Sequence, residues 1–474
     1  MSLARMAFAL LVLSVANVAS SKSARLSNID WTSCPEMLAA VSGAQIECGW
    51  LDARETIQGR PIRLRLVILR ARPDRRDPSP VVYVPGGPGE SAGLDAQSLR
   101  GWQRWQQQAG WPHDIVLFDP RGTGESRPRI RCVPDTTAPL RPLISTPPVD
   151  SFARDAAIVR RCLQRLGEDG MRALGPHAQI RDMAALLDSL GVERATLWGV
   201  SYGTRIARLF AQRYPEHVDT LVLDSIVPFE QNELAALPTQ IDRAIERLAL
   251  ICTAHSHCAT RSPRRAIAAL LARFERQPAV IALVPYRGVP PLFEITPYRL
   301  LLMILFAAYD SGHEQDTVVR IERALRGQPA ALVPLAARVA AQASSGSRST
   351  AVFWATRCAL HDKHAGGSNA WQDALAEASM IARYIEQAPQ GSVCDDWPLA
   401  RYKTDEGRLV DRPMLVLGGM ADVVTPPRWG LAFATDHALA HWAPIAAAGH
   451  ASTLSNRAAQ RAVAEFLADR SQLD

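Results

Sequence analysis

Gly199, Val200, Ser201, Tyr202 and Gly203 form a G-x-S-x-G run between a short apolar segment and a segment with helical spacing. In that setting the glycines allow a tight, strained turn that lifts a serine hydroxyl above the end of a strand, where it can act as a nucleophile. The helix that begins there aims backbone N–H groups and its positive end at negative charge developing on the attacked group. A serine hydroxyl attacks only when a base takes its proton, so a histidine and an orienting carboxylate are required. On a strand-turn-helix scaffold of this kind they follow the serine in the order acid, then histidine. Asp422 comes just after a predicted strand and its Gly418-Gly419 turn, and His450 sits in the run Ala448 to Ser452 after the last predicted strand. Both should share the sheet edge of Ser201. His437 and His441 fall on or before the last strand, His361 and His364 lie in a helix-rich stretch, and Asp411 precedes its strand and belongs to the opposite edge. The oxyanion formed on attack needs two donors about 3 Å away. The N–H of Tyr202 is one. The turn Pro85-Gly86-Gly87-Pro88-Gly89 offers the other, Gly87 first and Gly86 second, because Pro88 has no N–H.

Side chains so far apart in sequence need a scaffold that gathers loops at one edge. Short Val, Ile and Leu runs alternate with helix-like segments, the pattern of an α/β chain with a mostly parallel sheet covered on both faces. Strands are predicted at 64–69, 81–84, 115–118, 195–200, 220–224, 414–417 and 442–446, and helices at 181–190, 202–214 and 455–467. From Phe229 onward the rhythm gives way to Ala- and Leu-rich helical spacing at 241–251, 266–274, 298–308 and 375–385. The chain therefore reads as a core over 22–228 and 405–474, interrupted between two sheet strands by a large helical cap over 229–404.

With 474 residues, 47% hydrophobic and 21% charged, the composition excludes fibrous and disordered classes. The net charge of +6 rests almost wholly on arginine, since lysine stands only at Lys22, Lys363 and Lys403. The densest cluster, Arg70, Arg72, Arg75 and Arg76, includes Asp74 and Asp77, so nucleic acid is not an expected partner. Arg5, the apolar run Met6 to Val15 and the small residues Ala16, Ala19, Ser20 and Ser21 have the three-part pattern of a secretory signal over 1–21. A run of about ten residues falls short of the ~20 that span a bilayer, so cleavage and export are expected, without stable membrane insertion. The eight cysteines, Cys34, Cys48, Cys132, Cys162, Cys252, Cys258, Cys358 and Cys394, all follow the leader and suit an oxidising compartment. Pairing them consecutively closes four short loops: 34 with 48, 132 with 162, 252 with 258, and 358 with 394. Cys252, His255, His257 and Cys258 also offer zinc-type ligands, but they contain no C-x2-C half-site and the disulfide reading is preferred. The chemistry requires neither a metal nor an organic cofactor.

Gly86 to Gly89, Asp119 to Ser126 as DPRGTGES, and Trp198 to Thr204 as WGVSYGT resemble the prolyl and tripeptidyl aminopeptidases, serine exopeptidases with an α/β-hydrolase fold. Gly418 to Pro426 as GGMADVVTP, with Gly449 and His450, resembles the carboxyl-terminal part of the exported tripeptidyl aminopeptidase branch. The likeness spans about 31–228 and 350–474 and departs at Pro85, where many relatives carry His. It implies cleavage of a peptide or amide after an unblocked amino-terminal residue or short peptide. The substrate ammonium would then need a carboxylate in a partly desolvated pocket, for which Glu230, Glu233, Asp310 and Asp362 are candidates. A carboxylesterase or lipase-like enzyme would use the same triad, so substrate class stays open between amides and esters.

Overall fold

The computed structural model describes residues 28–35, 45–73, 77–130, 148–232, 235–254, 262–283, 292–344, 348–360, 369–385, 394, 397, 399 and 411–470. Its principal sheet contains β1 (Ile29–Thr32), β2 (Ile46–Ile57), β3 (Arg60–Leu69), β4 (Asp77–Val84), β5 (His113–Phe118), β6 (Ala195–Val200) and β7 (Val218–Asp224). Two further strands from the end of the chain, β10 (Met414–Gly419) and β11 (Ala440–Ile445), complete it. The spatial order is β1-β2-β3-β5-β4-β6-β7-β10-β11. From β5 to β11 every pairing is parallel. The amino-terminal strands pair antiparallel, which makes the sheet mixed and adds two strands, β2 and the edge strand β1, that the sequence pattern did not predict.

The physical reason for the parallel block is burial on both faces. Every residue of β5, β6 and β10 is buried, as the continuous apolar runs require. Pro78 and Pro80 fit within β4 because its pairing with β5 is irregular between Asp77 and Val81, where the ladder does not need their missing N–H groups. The helices Pro176–Leu190 and Gly203–Arg213 cover one face through Leu186, Leu187 and Phe210. Ala96–Ala109 and Arg457–Arg470 contribute Leu99, Trp105 and Val463 to the other cluster. Pro176 opens its helix at the first turn after the extended Gly175, so the helix begins five residues before the apolar spacing showed. Arg121 of the DPRG turn is 1% exposed and makes four hydrogen bonds: it donates to both Asp182 carboxylate oxygens, to Glu55 and to the Ala173 carbonyl. That fork locks the turn after β5 to β2 and to the helix Pro176–Leu190.

Between β7 and β10 the helices Leu237–Ala254, Pro263–Arg276, Pro297–Ala307, Glu314–Leu325 and Val333–Ser344 enclose a separate apolar cluster. The small antiparallel pair β8 (Ala279–Ala282) and β9 (Leu292–Ile295) completes it through Ile281 and Phe293. Thr350–Ala359 returns to the sheet, burying Val352, Trp354 and Cys358 in the core cluster. The single helix expected over 375–385 is two, Ala370–Glu377 and Ala382–Ile385, because the turn between them buries Ala378 and Ile381 in that separate cluster. Cys34 is bonded to Cys48 and Cys358 to Cys394. Cys132 and Cys258, the expected partners of Cys162 and Cys252, lie outside the described residues, as do the leader, His255 and His257. No helix among the described residues is long and apolar enough to cross a membrane.

Candidate active site

Ser201 stands on the turn between β6 and the helix Gly203–Arg213 with φ 55, a left-handed backbone rarely adopted by a non-glycine residue. The two glycines of the motif permit it by close approach. A Cβ on Gly203 would lie 2.1 Å from the Val84 carbonyl oxygen, and one on Gly199 would lie 2.8 Å from the Gly203 oxygen. The turn is held by the Ser201 N–H on the Asp224 carbonyl and by the N–H and hydroxyl of Thr204 on the Ser201 carbonyl.

The edge loops after β10 and β11 bring the other predicted residues to it. His450 Nε2 is 2.9 Å from Ser201 Oγ, and His450 Nδ1 is 2.9 Å from Asp422 Oδ2. The carboxylate fixes the tautomer: Nδ1–H donates to Asp422, leaving the Nε2 lone pair for the serine proton. Asp422 also accepts from the Thr425 hydroxyl at 2.6 Å and from the N–H groups of Val424 and Thr425. Burial opposes charge on Asp422, yet His450 and these donors hold its pKa below the ordinary carboxylate value. Burial likewise opposes an imidazolium, but the Asp422 charge and hydrogen bond, joined by Asp224 and Glu90, raise the His450 pKa above the usual value.

The glycine turn after β4 flanks the nucleophile. A Cβ on Gly86 would lie 3.1 Å from Ser201 Cβ and 3.6 Å from the Tyr202 nitrogen. The Gly87 amide is the next peptide unit of that turn, and Tyr202 stands at the amino end of the helix Gly203–Arg213.

Asp224, which ends β7, escaped the sequence reading. Its fully buried carboxylate accepts from the Thr453 N–H at 2.7 Å, the Thr453 hydroxyl at 2.6 Å and the Ser452 hydroxyl at 3.0 Å. Its neighbour Ser225 receives the Ala451 N–H at 2.9 Å. One residue thus ties the Ser201 turn to the loop carrying His450. The available signal was a carboxylate ending a buried strand, with a Ser-Thr pair two residues after the histidine. Asp224→Asn leaves at least one of these buried donors without an acceptor. It is expected to cost about 1–3 kcal/mol in stability and to lower turnover more than it changes substrate affinity. Urea unfolding and steady-state kinetics measure both, and unchanged values in both would remove Asp224 from this role.

The competing residues stand apart. His437 contacts the Phe433 carbonyl and stacks on its ring, His441 lies in β11 beside Phe466, and Asp411 is exposed ahead of β10. Of the ammonium candidates, Glu230 is exposed and Asp310 faces Arg338 at 3.7 Å. Glu233, His361, Asp362 and His364 lie outside the described residues.

Residues 79–250 match the α/β-hydrolase fold family, and residues 379–472 match the family described as TAP-like protein. Serine protease Hip1 of Mycobacterium tuberculosis is 35% identical over 155 residues, 31% of this chain and 29% of that protein. Putative hydrolase YuaR of Escherichia coli is 27% identical over 220 residues, 43% of this chain and 42% of that protein. Tripeptidyl aminopeptidase of Streptomyces lividans is 30% identical over 227 residues, 45% of this chain and 40% of that protein. The chain thus spans less than half the length of each of these relatives. With a parallel block that delivers its edge loops to Ser201, and with both ends of that block matched, the chain has the α/β-hydrolase fold and is similar to serine peptidases built on it.

Proposed function

We propose that this chain is an exported serine aminopeptidase that releases amino-terminal residues or short peptides through an acyl-enzyme. The observation that carries the reading is the continuous hydrogen-bonded line from Ser201 through His450 to Asp422 at the edge where the loops of the parallel strands converge. Ser201 Oγ bonds to the substrate carbonyl carbon as its proton passes to His450 Nε2. The amides of Gly87 and Tyr202 hold the resulting oxyanion. Collapse breaks the C–N bond, and the imidazolium gives its proton to the departing amine. Water, deprotonated by His450, then attacks the acyl-enzyme, and Ser201 leaves with the proton returned.

The peptidase side of the reading is supported by the relatives named serine protease and tripeptidyl aminopeptidase, which share the core segments. Export is supported by the leader-like residues 1–21 and by disulfides, which persist outside the cytosol. The helical layer is read as a cap that limits access to chain ends and excludes water. The test is a paired panel: aminoacyl and tripeptidyl anilides with free and acetylated amino termini, and a short acyl ester. Cleavage confined to free-amine anilides is expected, with the length released identifying the branch. Equal cleavage of acetylated anilides, or reaction of the ester alone, would replace this reading with an amidase or carboxylesterase.

A further inference from the structure

Glu90 follows the glycine turn that borders Ser201. Its side chain folds back over that turn: a Cβ on Gly87 would lie 3.2 Å from Glu90 Cγ. Arg348, arriving from the helical layer, bridges to Glu90 through the backbone and donates from Nη2 to Glu90 Oε1 at 2.6 Å. Directly after it the Ser349 N–H meets the Gly89 carbonyl at 2.9 Å. The carboxylate is therefore fixed in place, while Oε2 has no hydrogen-bond partner among the described residues.

Its position relative to the chemistry sets it apart from other acids nearby. The negative charge of Glu90 reaches the His450 imidazole and the hydroxyls of Tyr309 and Tyr83. Asp422 and Asp224 also act on His450, but both are buried and filled with internal donors. Asp310 is 64% exposed and faces Arg338, whereas Glu90 is 35% exposed, partly shielded yet open. A carboxylate beside the oxyanion turn, partly exposed, with one oxygen anchored and the other without a partner among the described residues, is suited to a cation attached a few atoms from the acyl carbonyl. In a short aminoacyl or peptidyl group with an unblocked end, the α-ammonium is that cation. Partial shielding strengthens such a charge-assisted bond relative to one made in open water.

We propose that Glu90, held by Arg348, is the receptor for the free amino terminus of the substrate and so determines the preference for unblocked ends. This rests on the aminopeptidase reading above.

The experiment compares wild type, Glu90→Gln and Glu90→Asp on alanine anilide and acetyl-alanine anilide. Labelling of Ser201 by a fluorophosphonate checks that each variant is folded. Glu90→Gln is expected to lower the ratio of kcat/KM for free over acetylated substrate by roughly ten- to a hundredfold, the range for a hydrogen bond to a charged group. The loss should fall mainly in KM for the free amine, and Glu90→Asp should recover part of it. If wild type prefers the free amine and Glu90→Gln keeps that preference, the assignment is overturned while the aminopeptidase reading survives. If wild type itself treats the two substrates alike, the aminopeptidase reading falls and the receptor assignment goes with it.

Discussion

Replacing Ser201 by alanine is expected to remove turnover of every substrate in the panel, by roughly 10⁶-fold in kcat, while leaving substrate binding near its wild-type strength. The reason is that Oγ is the atom that forms the new bond, and no other hydroxyl occupies its place 2.9 Å from His450 Nε2 among the described residues. Any residual rate over water would come from the oxyanion donors and from substrate positioning, which the alanine variant retains. The fold should persist, because the Ser201 backbone supplies the turn's hydrogen bonds to Asp224 and Thr204 while the side chain supplies none of them. Alanine at φ 55 is no more strained than serine there. Single-turnover kinetics with a chromogenic anilide, alongside thermal unfolding, measures both. Retained turnover in a folded alanine variant would show that another group is the nucleophile.

Asp422→Asn should cost about 10⁴-fold in kcat with the loop geometry kept. Asparagine fills the same volume, and with its oxygen in the Oδ1 place it still accepts from the Val424 and Thr425 N–H groups, which puts its NH2 in the Oδ2 place facing His450 and the Thr425 hydroxyl. A donor facing Nδ1 favours the tautomer with the proton on Nε2, and that imidazole cannot accept from Ser201. The pH profile gives an independent readout. His450 must be neutral to act as a base, and its pKa is raised above the ordinary 6.5, so wild-type kcat/KM should fall as pH drops through a value above 6.5. Removing the carboxylate removes the strongest support for the imidazolium, and the acidic limb should move to lower pH in the variant. An acidic limb that stays in place in Asp422→Asn would assign the ionisation to another group.

The parts of the site that were legible in the sequence share one property: their signal is local. G-x-S-x-G carries its own turn, and Asp422 and His450 each follow an apolar strand within a few residues. Strand order in the parallel block then brings those loops together without any further instruction from the sequence. What escaped was long-range. The role of Asp224 depends on Ser452 and Thr453, more than two hundred residues downstream, and that of Glu90 on an arginine 258 positions away. The strands β1 and β2 escaped because buried and exposed positions do not alternate regularly along them: β1 is a short edge strand, and the ladder of β2 with β3 carries a register shift. The break at 378–381 has no glycine or proline to mark it and goes with the burial of Ala378 and Ile381 in the helical layer.

The helical layer touches all three working loops. The Gln240 side chain donates to the Val424 carbonyl beside Asp422, the His450 N–H donates to the Tyr309 carbonyl, and the Ser349 N–H donates to the Gly89 carbonyl beside the oxyanion turn. A chimera that exchanged this layer for one from another hydrolase would therefore exchange the supports of acid, base and oxyanion turn at the same time. In such a protein, substrate range and turnover are inherited together, and a graft that preserves rate must reproduce those three fastenings before it can introduce a new preference.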